Sequence, residues 1–223
     1  MVLEVVFENE KFILFNKPAG LSFHCEEGEG FVVQAEKQTG LKLYSVHRLD
    51  KMTSGLLLLA KSSTDANRLT KLFEERLIQK YYLAISIRKP KKKQGWIKGD
   101  MASARRGSYK LLKTTESPAV TQFHSASLRE HERLFLIKPH TGKTHQIRVA
   151  LKSLGSPIAG DLRYAAADEA KGEERGYLHA FALSFTLEGE AFSFVFPPAD
   201  GERFLSDECK EQIFQYSKPW ALF

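Results

Sequence analysis

Short apolar blocks separated by polar or glycine-containing joints run the length of the chain. In Leu56-Leu57-Leu58-Leu59-Ala60, bounded by Gly55 and Lys61, four successive leucines cannot hide on one face. The stretch therefore predicts a strand covered on both sides. Residues 3–7 and 12–15, parted by Glu8-Asn9-Glu10-Lys11, predict a hairpin that ends at Lys17-Pro18-Ala19-Gly20. After a loop over 26–30, residues 32–38 read as a short helix stopped by Gly40. Ser62 or Ser63 can cap a second helix, with Ala66, Leu69, Leu72 and Phe73 at helical spacing and an end near Arg76. A strand over 80–87 follows.

The second half is richer in strands. Residues 119–128 and 133–137 predict a hairpin around the charged turn 129–132. Residues 144–154 predict a helix with Ile147, Ala150, Leu151 and Leu154 on one face and Gly155 as its stop. Arg148 falls off that stripe. Residues 168–175 read as a charged loop, 176–185 and 191–196 as another hairpin, and 201–216 as a closing helix. The mixture predicts an α+β fold, a mixed and largely antiparallel sheet flanked by helices, with an active cleft between two lobes.

Composition narrows the class. With 223 residues, 43% of them hydrophobic, the chain can bury a substantial core as one domain over 1–223. It contains no run of 18 apolar residues, and Met1-Val2-Leu3-Glu4 lacks a signal-peptide profile, so a cytoplasmic, monomeric protein without membrane contact is expected. Cys25 and Cys209 stand in no metal spacing and read as reduced thiols, and the histidines form no His-Glu-x-x-His pattern. No metal or cofactor is expected.

Charge adds a partner. Residues 88–113 hold ten Lys/Arg against Asp100 alone, while the rest of the chain is slightly acidic and the whole carries +6. Such a segment is the footprint of a polyanion, with Lys91, Lys92, Lys93, Arg105 and Arg106 as candidate phosphate contacts and Trp96 and Tyr109 as candidate stacking surfaces.

The chemistry points to one turn. Val46-His47-Arg48-Leu49-Asp50-Lys51-Met52-Thr53-Ser54-Gly55 places an arginine, an aspartate and two hydroxyls just before the leucine strand. A carboxylate delivered by a loop from a rigid buried element is where an enzyme holds a reactive group. His47-Arg48-Leu49-Asp50 with Thr53-Ser54-Gly55-Leu56-Leu57 resembles the signature of the RluA family of RNA pseudouridine synthases. Asn16-Lys17-Pro18-Ala19-Gly20-Leu21, Lys80-Tyr81-Tyr82-Leu83-Ala84 and Thr141-Gly142-Lys143-Thr144-His145-Gln146-Ile147-Arg148-Val149 match in the family's order. Gly160-Asp161 with Tyr164, then Leu178-His179-Ala180, extend the likeness over residues 5 to 198.

The resemblance implies isomerisation of uridine in ribosomal or transfer RNA. Asp50 would be the nucleophile or the trigger of glycosidic cleavage, and Arg148 the cation that favours its ionised form. Tyr82 would pack on the target base and Ile147 would give it apolar contact. Arg48 would fill the space left by the displaced nucleotide, and His47 would position the loop or touch phosphate. The catalytic region starts by residue 5, so no RNA-binding S4 domain is expected in front of it. Met52, Lys143, Ala150 and Ser156 depart from the family's usual residues along the RNA path. Two rivals remain open: a hydrolase using Asp50 and Asp161 as its carboxylate pair, and a non-catalytic RNA-binding protein of the same fold. A phosphate-binding P-loop at Gly142-Lys143-Thr144 fails, since position 137 is Ile.

Overall fold

The computed structural model describes residues 2–24 and 28–223, which leaves Cys25 and part of the expected 26–30 loop outside the described residues. The chain folds as two compact units, Met1–Lys80 with His179–Pro197 and Tyr81–Leu178 with Pro198–Phe223.

The first unit opens with strands β1 (Glu4–Glu8) and β2 (Phe12–Lys17), the expected antiparallel hairpin. Helix α1 (Phe31–Thr39) stops at Gly40, whose left-handed backbone (φ 69°) lets its N–H donate to the Glu36 carbonyl. The two-residue β3 (Tyr44–Ser45) precedes β4 (Ser54–Ala60), in which every residue is buried, as the leucine run requires. Ser62 caps α2 (Ser63–Glu74), its Oγ accepting from the Asp65 N–H at 3.0 Å.

The second unit continues the chain with β5 (Gln79–Ser86), β6 (Gln94–Gly99), β7 (Met101–Ser103), β8 (Tyr109–Leu111), β9 (Ala119–Ser127) and β10 (Arg133–Pro139). Its main sheet is antiparallel, in the order β5-β10-β9-β6, and β7 and β8 form a separate hairpin. The basic segment thus carries strands that the pattern did not suggest. Its inward positions on β6 are Gly95, Ile97 and Gly99, and two glycines give no apolar alternation to read.

Helix α3 (Gln146–Ser153) starts two residues later than expected, after His145 at φ 57°. The side chain of Gln146 fastens that end: its Oε1 accepts from Thr141 Oγ1 and the Lys143 N–H, and its Nε2 donates to the Val120 carbonyl and Thr121 Oγ1. Residues 146–151 are all buried, so the expectation that Arg148 lies off the buried stripe is corrected. The helix is covered on more than one face. The charged run 168–175 is not all loop, since Ala167–Lys171 forms the short α4 around the buried Ala170.

The chain returns to the first unit in β11 (Leu178–Leu187) and β12 (Glu190–Val195), which pair antiparallel. β11 runs parallel to β4, with Ala180 opposite Gly55. The approach is close enough that a Cβ on Gly55 (φ 103°) would lie 2.3 Å from the Ala180 carbonyl oxygen. Phe12, Phe185, Phe192 and Phe194 pack ring on ring beside this sheet. The closing helix α5 (Asp207–Gln215) is shorter than expected because Ser206 caps it. Its Cys209 is a free buried thiol that burial pushes up to about 12, in keeping with an inert reduced cysteine.

Candidate active site

In the first unit, the loop carrying Asp50 is tied down by backbone bonds. The Thr53 N–H donates to the Asp50 carbonyl at 2.9 Å, and the Gly20 N–H to the Lys51 carbonyl at 2.8 Å. Between these loops lies the fully buried ammonium of Lys17, which donates to the carbonyls of Pro18 (2.8 Å), Leu21 (2.7 Å) and Lys51 (3.3 Å). A buried cation requires such partners, and here they are the backbone of the two loops themselves. Asp50 is half-buried and Arg48 exposed, whereas Thr53 and Ser54 are buried.

Two histidines brace the strand behind the turn. The Leu58 N–H donates to His47 Nε2 at 2.9 Å, and the His47 ring stacks on Phe73 at 4.5 Å. Burial, with the neighbouring Lys80 cation, pushes the imidazole down to about 3, so it is neutral at pH 7. Of the two roles open to His47, this geometry supports loop positioning. His179, 1% exposed, bonds the Phe196 carbonyl through Nε2 and Ser54 Oγ through Nδ1, both at 2.8 Å. A carbonyl only accepts, so Nε2 carries the proton and the Ser54 hydroxyl donates to Nδ1.

In the second unit, Tyr81 and Tyr82 point to opposite faces of β5, as alternation demands. Tyr81 is fully buried, beside Phe223 and the Lys138 ammonium, and burial pushes its hydroxyl up to about 12. Tyr82 is half-buried and registers with Ile137 on β10. Arg148 makes a two-pronged ion pair with the wholly buried Asp161, Nε and Nη2 each donating at 2.8 Å. Asp161 also accepts the backbone N–H groups of Arg163 and Tyr164. The Tyr164 ring lies 5.0 Å from the guanidinium carbon. Its hydroxyl accepts from the Tyr109 N–H and meets His145 Nδ1, each at 2.9 Å. Ile147 is 8% exposed on the same helix.

Lys91, Lys92, Lys93, Arg105 and Arg106 are all exposed. The lysines lead into β6, and the arginines form the turn between β7 and β8.

A model of the family described as RNA pseudouridylate synthase matches residues 11–153. The chain belongs to this family. An uncharacterized RNA pseudouridine synthase of Haemophilus influenzae is 46% identical over 223 residues, covering 99% of each chain. A ribosomal large subunit pseudouridine synthase C of Rickettsia bellii is 34% identical over 169 residues, 72% of this chain and 56% of that protein, so the chain spans little more than half of it. Among solved structures, human RNA pseudouridylate synthase domain containing 1 shares the fold, with a TM-score of 0.79, 23% identity, and coverage of 96% of this chain and 94% of that one.

As an RNA pseudouridine synthase, the enzyme isomerises uridine, and the carboxylate-pair hydrolase loses its second carboxylate. Both oxygens of Asp161 are held by Arg148 in a site closed to water, where they cannot serve as a general acid or activate a water molecule. Lys17 stands in a block that matches the family, but nothing in the pattern assigned it a role; nor did the pattern show the Tyr109–Tyr164–His145 chain, whose members are far apart in sequence. Among the described residues, no helix is long and apolar enough to cross a membrane.

Proposed function

We propose that this pseudouridine synthase modifies an unpaired uridine in ribosomal or transfer RNA in the cytoplasm, with Asp50 as the reacting carboxylate. The observation that carries the reading is the fastening of the Asp50 turn: Lys17 and Gly20 hold it from one side and the buried β4 from behind. A group so held needs little reorganisation as the reaction proceeds. The ribosomal name of the Rickettsia relative supports the choice of RNA. An unpaired target suits an enzyme that must reach a base, because duplex RNA buries base edges in a deep groove.

The isomerisation breaks the C1′–N1 bond, turns the uracil while it stays bound, and joins C5 to C1′ with loss of the C5 proton. Asp50 attacks the sugar or triggers the cleavage. Arg148, with one edge fixed by Asp161 and its plane set by Tyr164, is assigned to keep Asp50 ionised. Tyr82 and Ile147 bear on the uracil, and Arg48 takes the place of the displaced nucleotide. Lys91, Lys92, Lys93, Arg105 and Arg106 hold phosphates.

The test uses RNA tritiated at C5 of uridine. Wild-type enzyme is expected to release label to water and give a product of unchanged mass. Asp50→Asn is expected to fold, bind RNA and release none, since binding comes largely from phosphates. Free uracil in the product would favour a hydrolase, and no reaction on any ribosomal or transfer RNA would favour a binding protein. Near-normal release by folded Asp50→Asn would remove Asp50 from the chemistry.

A further inference from the structure

The edge of the second unit's sheet, at β6, carries an aromatic platform that the reaction does not use. Trp96 on β6 registers with Gln122 on β9, which registers with Lys138 on β10. Tyr82 belongs to the next row, with Ile137, Phe123 and Gly95, so Trp96 lies on the opposite face of this sheet from Tyr82. Trp96 is 48% exposed. It stacks on His140 at 4.8 Å with 29° between the planes. Gln122 Oε1 meets His140 Nε2 at 3.1 Å and fixes that ring. The Lys98 ammonium lies 5.1 Å from the indole centroid. On this face the outer three strands present Lys98, Lys138 and His124 and no acid, and His140 follows directly after β10.

We propose that Trp96, backed by His140, seats one unpaired base of the RNA outside the reacting site, with Lys98 and the lysines before β6 on the adjoining phosphates. The inference takes RNA as the partner from the family and adds a second place where it is held. Every base has a face to stack, so the seat is indifferent to sequence. Charge selects nucleic acid over other ligands with a flat ring, because the platform stands in the segment with a local excess of nine positive charges. Burial and the neighbouring Lys138 and Lys98 lower the pKa of His140, which favours a neutral ring behind the indole. The backbone of Lys93 is anchored by Ser125 Oγ at 2.6 Å, so the cations before β6 start from a fixed point on the same edge.

The probe is a short oligocytidylate, which is unstructured and contains no uridine to turn over. In a Trp220→Phe protein, where Trp96 is the only indole, titration is expected to quench the emission to saturation. Trp96→Ala is expected to weaken binding by about 5- to 100-fold, and Trp96→Phe to recover most of it. On substrate RNA, Trp96→Ala should raise KM and leave kcat near wild type. Equal affinity for wild type and Trp96→Ala, with no quenching, would overturn the seat. So would a change in sedimentation from dimer to monomer on Trp96→Ala with RNA binding intact, which would make this face a contact between copies. Because the titration needs no turnover, Trp96-dependent binding by a protein that releases no tritium would leave the seat standing while the catalytic reading fell.

Discussion

At the scale of single residues, the buried pair of Arg148 and Asp161 makes the sharpest separation between folding and chemistry. Removing one partner strands a buried charge, so Arg148→Leu is expected to destabilise the protein by about 3–5 kcal/mol in urea unfolding. Replacing both, as Arg148→Leu with Asp161→Asn, should recover much of that, because no charge is left buried and the amide oxygen still accepts from the Arg163 and Tyr164 N–H groups. If Arg148 acts on Asp50, tritium release stays abolished in the stable double variant; activity that returns with stability would reduce Arg148 to a structural role. His47 offers a second test, by pH. Its folded value of about 3 lies below the ordinary 6.5, so between these limits the unfolded chain binds a proton that the folded one does not. Its contribution is complete above pH 6.5 and drains away as pH falls towards 3, at up to about 1.4 kcal/mol per pH unit. His47→Gln keeps an acceptor for the Leu58 N–H and cannot titrate. Its unfolding free energy should therefore fall less steeply than that of the wild type between pH 6 and pH 4.

At the scale of elements, β4 was legible because it obeys a local rule. Four leucines in succession need cover on both faces, and the structure supplies it. The hairpins, α1 with its Gly40 stop and the capped α2 were readable for the same reason. What failed to show depended on partners distant in sequence. Arg148 is buried because Asp161 neutralises it, and Lys17 because three carbonyls from two loops surround it. Neither can be inferred from spacing along one element. The Asp50 turn itself was legible as a motif, but not its fastening. Gly55 shows the same dependence on a distant partner, since only the parallel approach of β11 reveals why a side chain is barred there. Gly55→Ala combines a positive φ with a backbone collision and should cost at least about 3 kcal/mol. Gly20→Ala, also at positive φ but with open space around its Cβ, should cost only about 1–2 kcal/mol. Thermal melts of the two variants side by side separate the collision from the dihedral strain, and equal losses would show that β11 can shift to make room.

At the scale of the whole molecule, the proposed reacting carboxylate and the basic segment lie in different parts of the chain. The Asp50 turn belongs to the first unit, while the basic segment folds as β6, β7 and β8 in the second. Lys91, Lys92 and Lys93 are exposed at the entry to the edge strand β6, where a phosphate backbone can reach them without disturbing the core. If each neutralises one phosphate, Lys91→Ala, Lys92→Ala and Lys93→Ala together should weaken binding to all RNA sequences alike. The plot of log affinity against log salt should flatten by about 0.7–0.9 per lost contact, the signature of counterions no longer released. Stability should hardly change, since exposed lysines contribute little to folding. Activity at saturating RNA should survive, because none of the three bears on the base. A slope unchanged by the triple substitution would make the lysines a solvated surface, and the grip on RNA would then have to come from Arg105, Arg106 and the stacking residues.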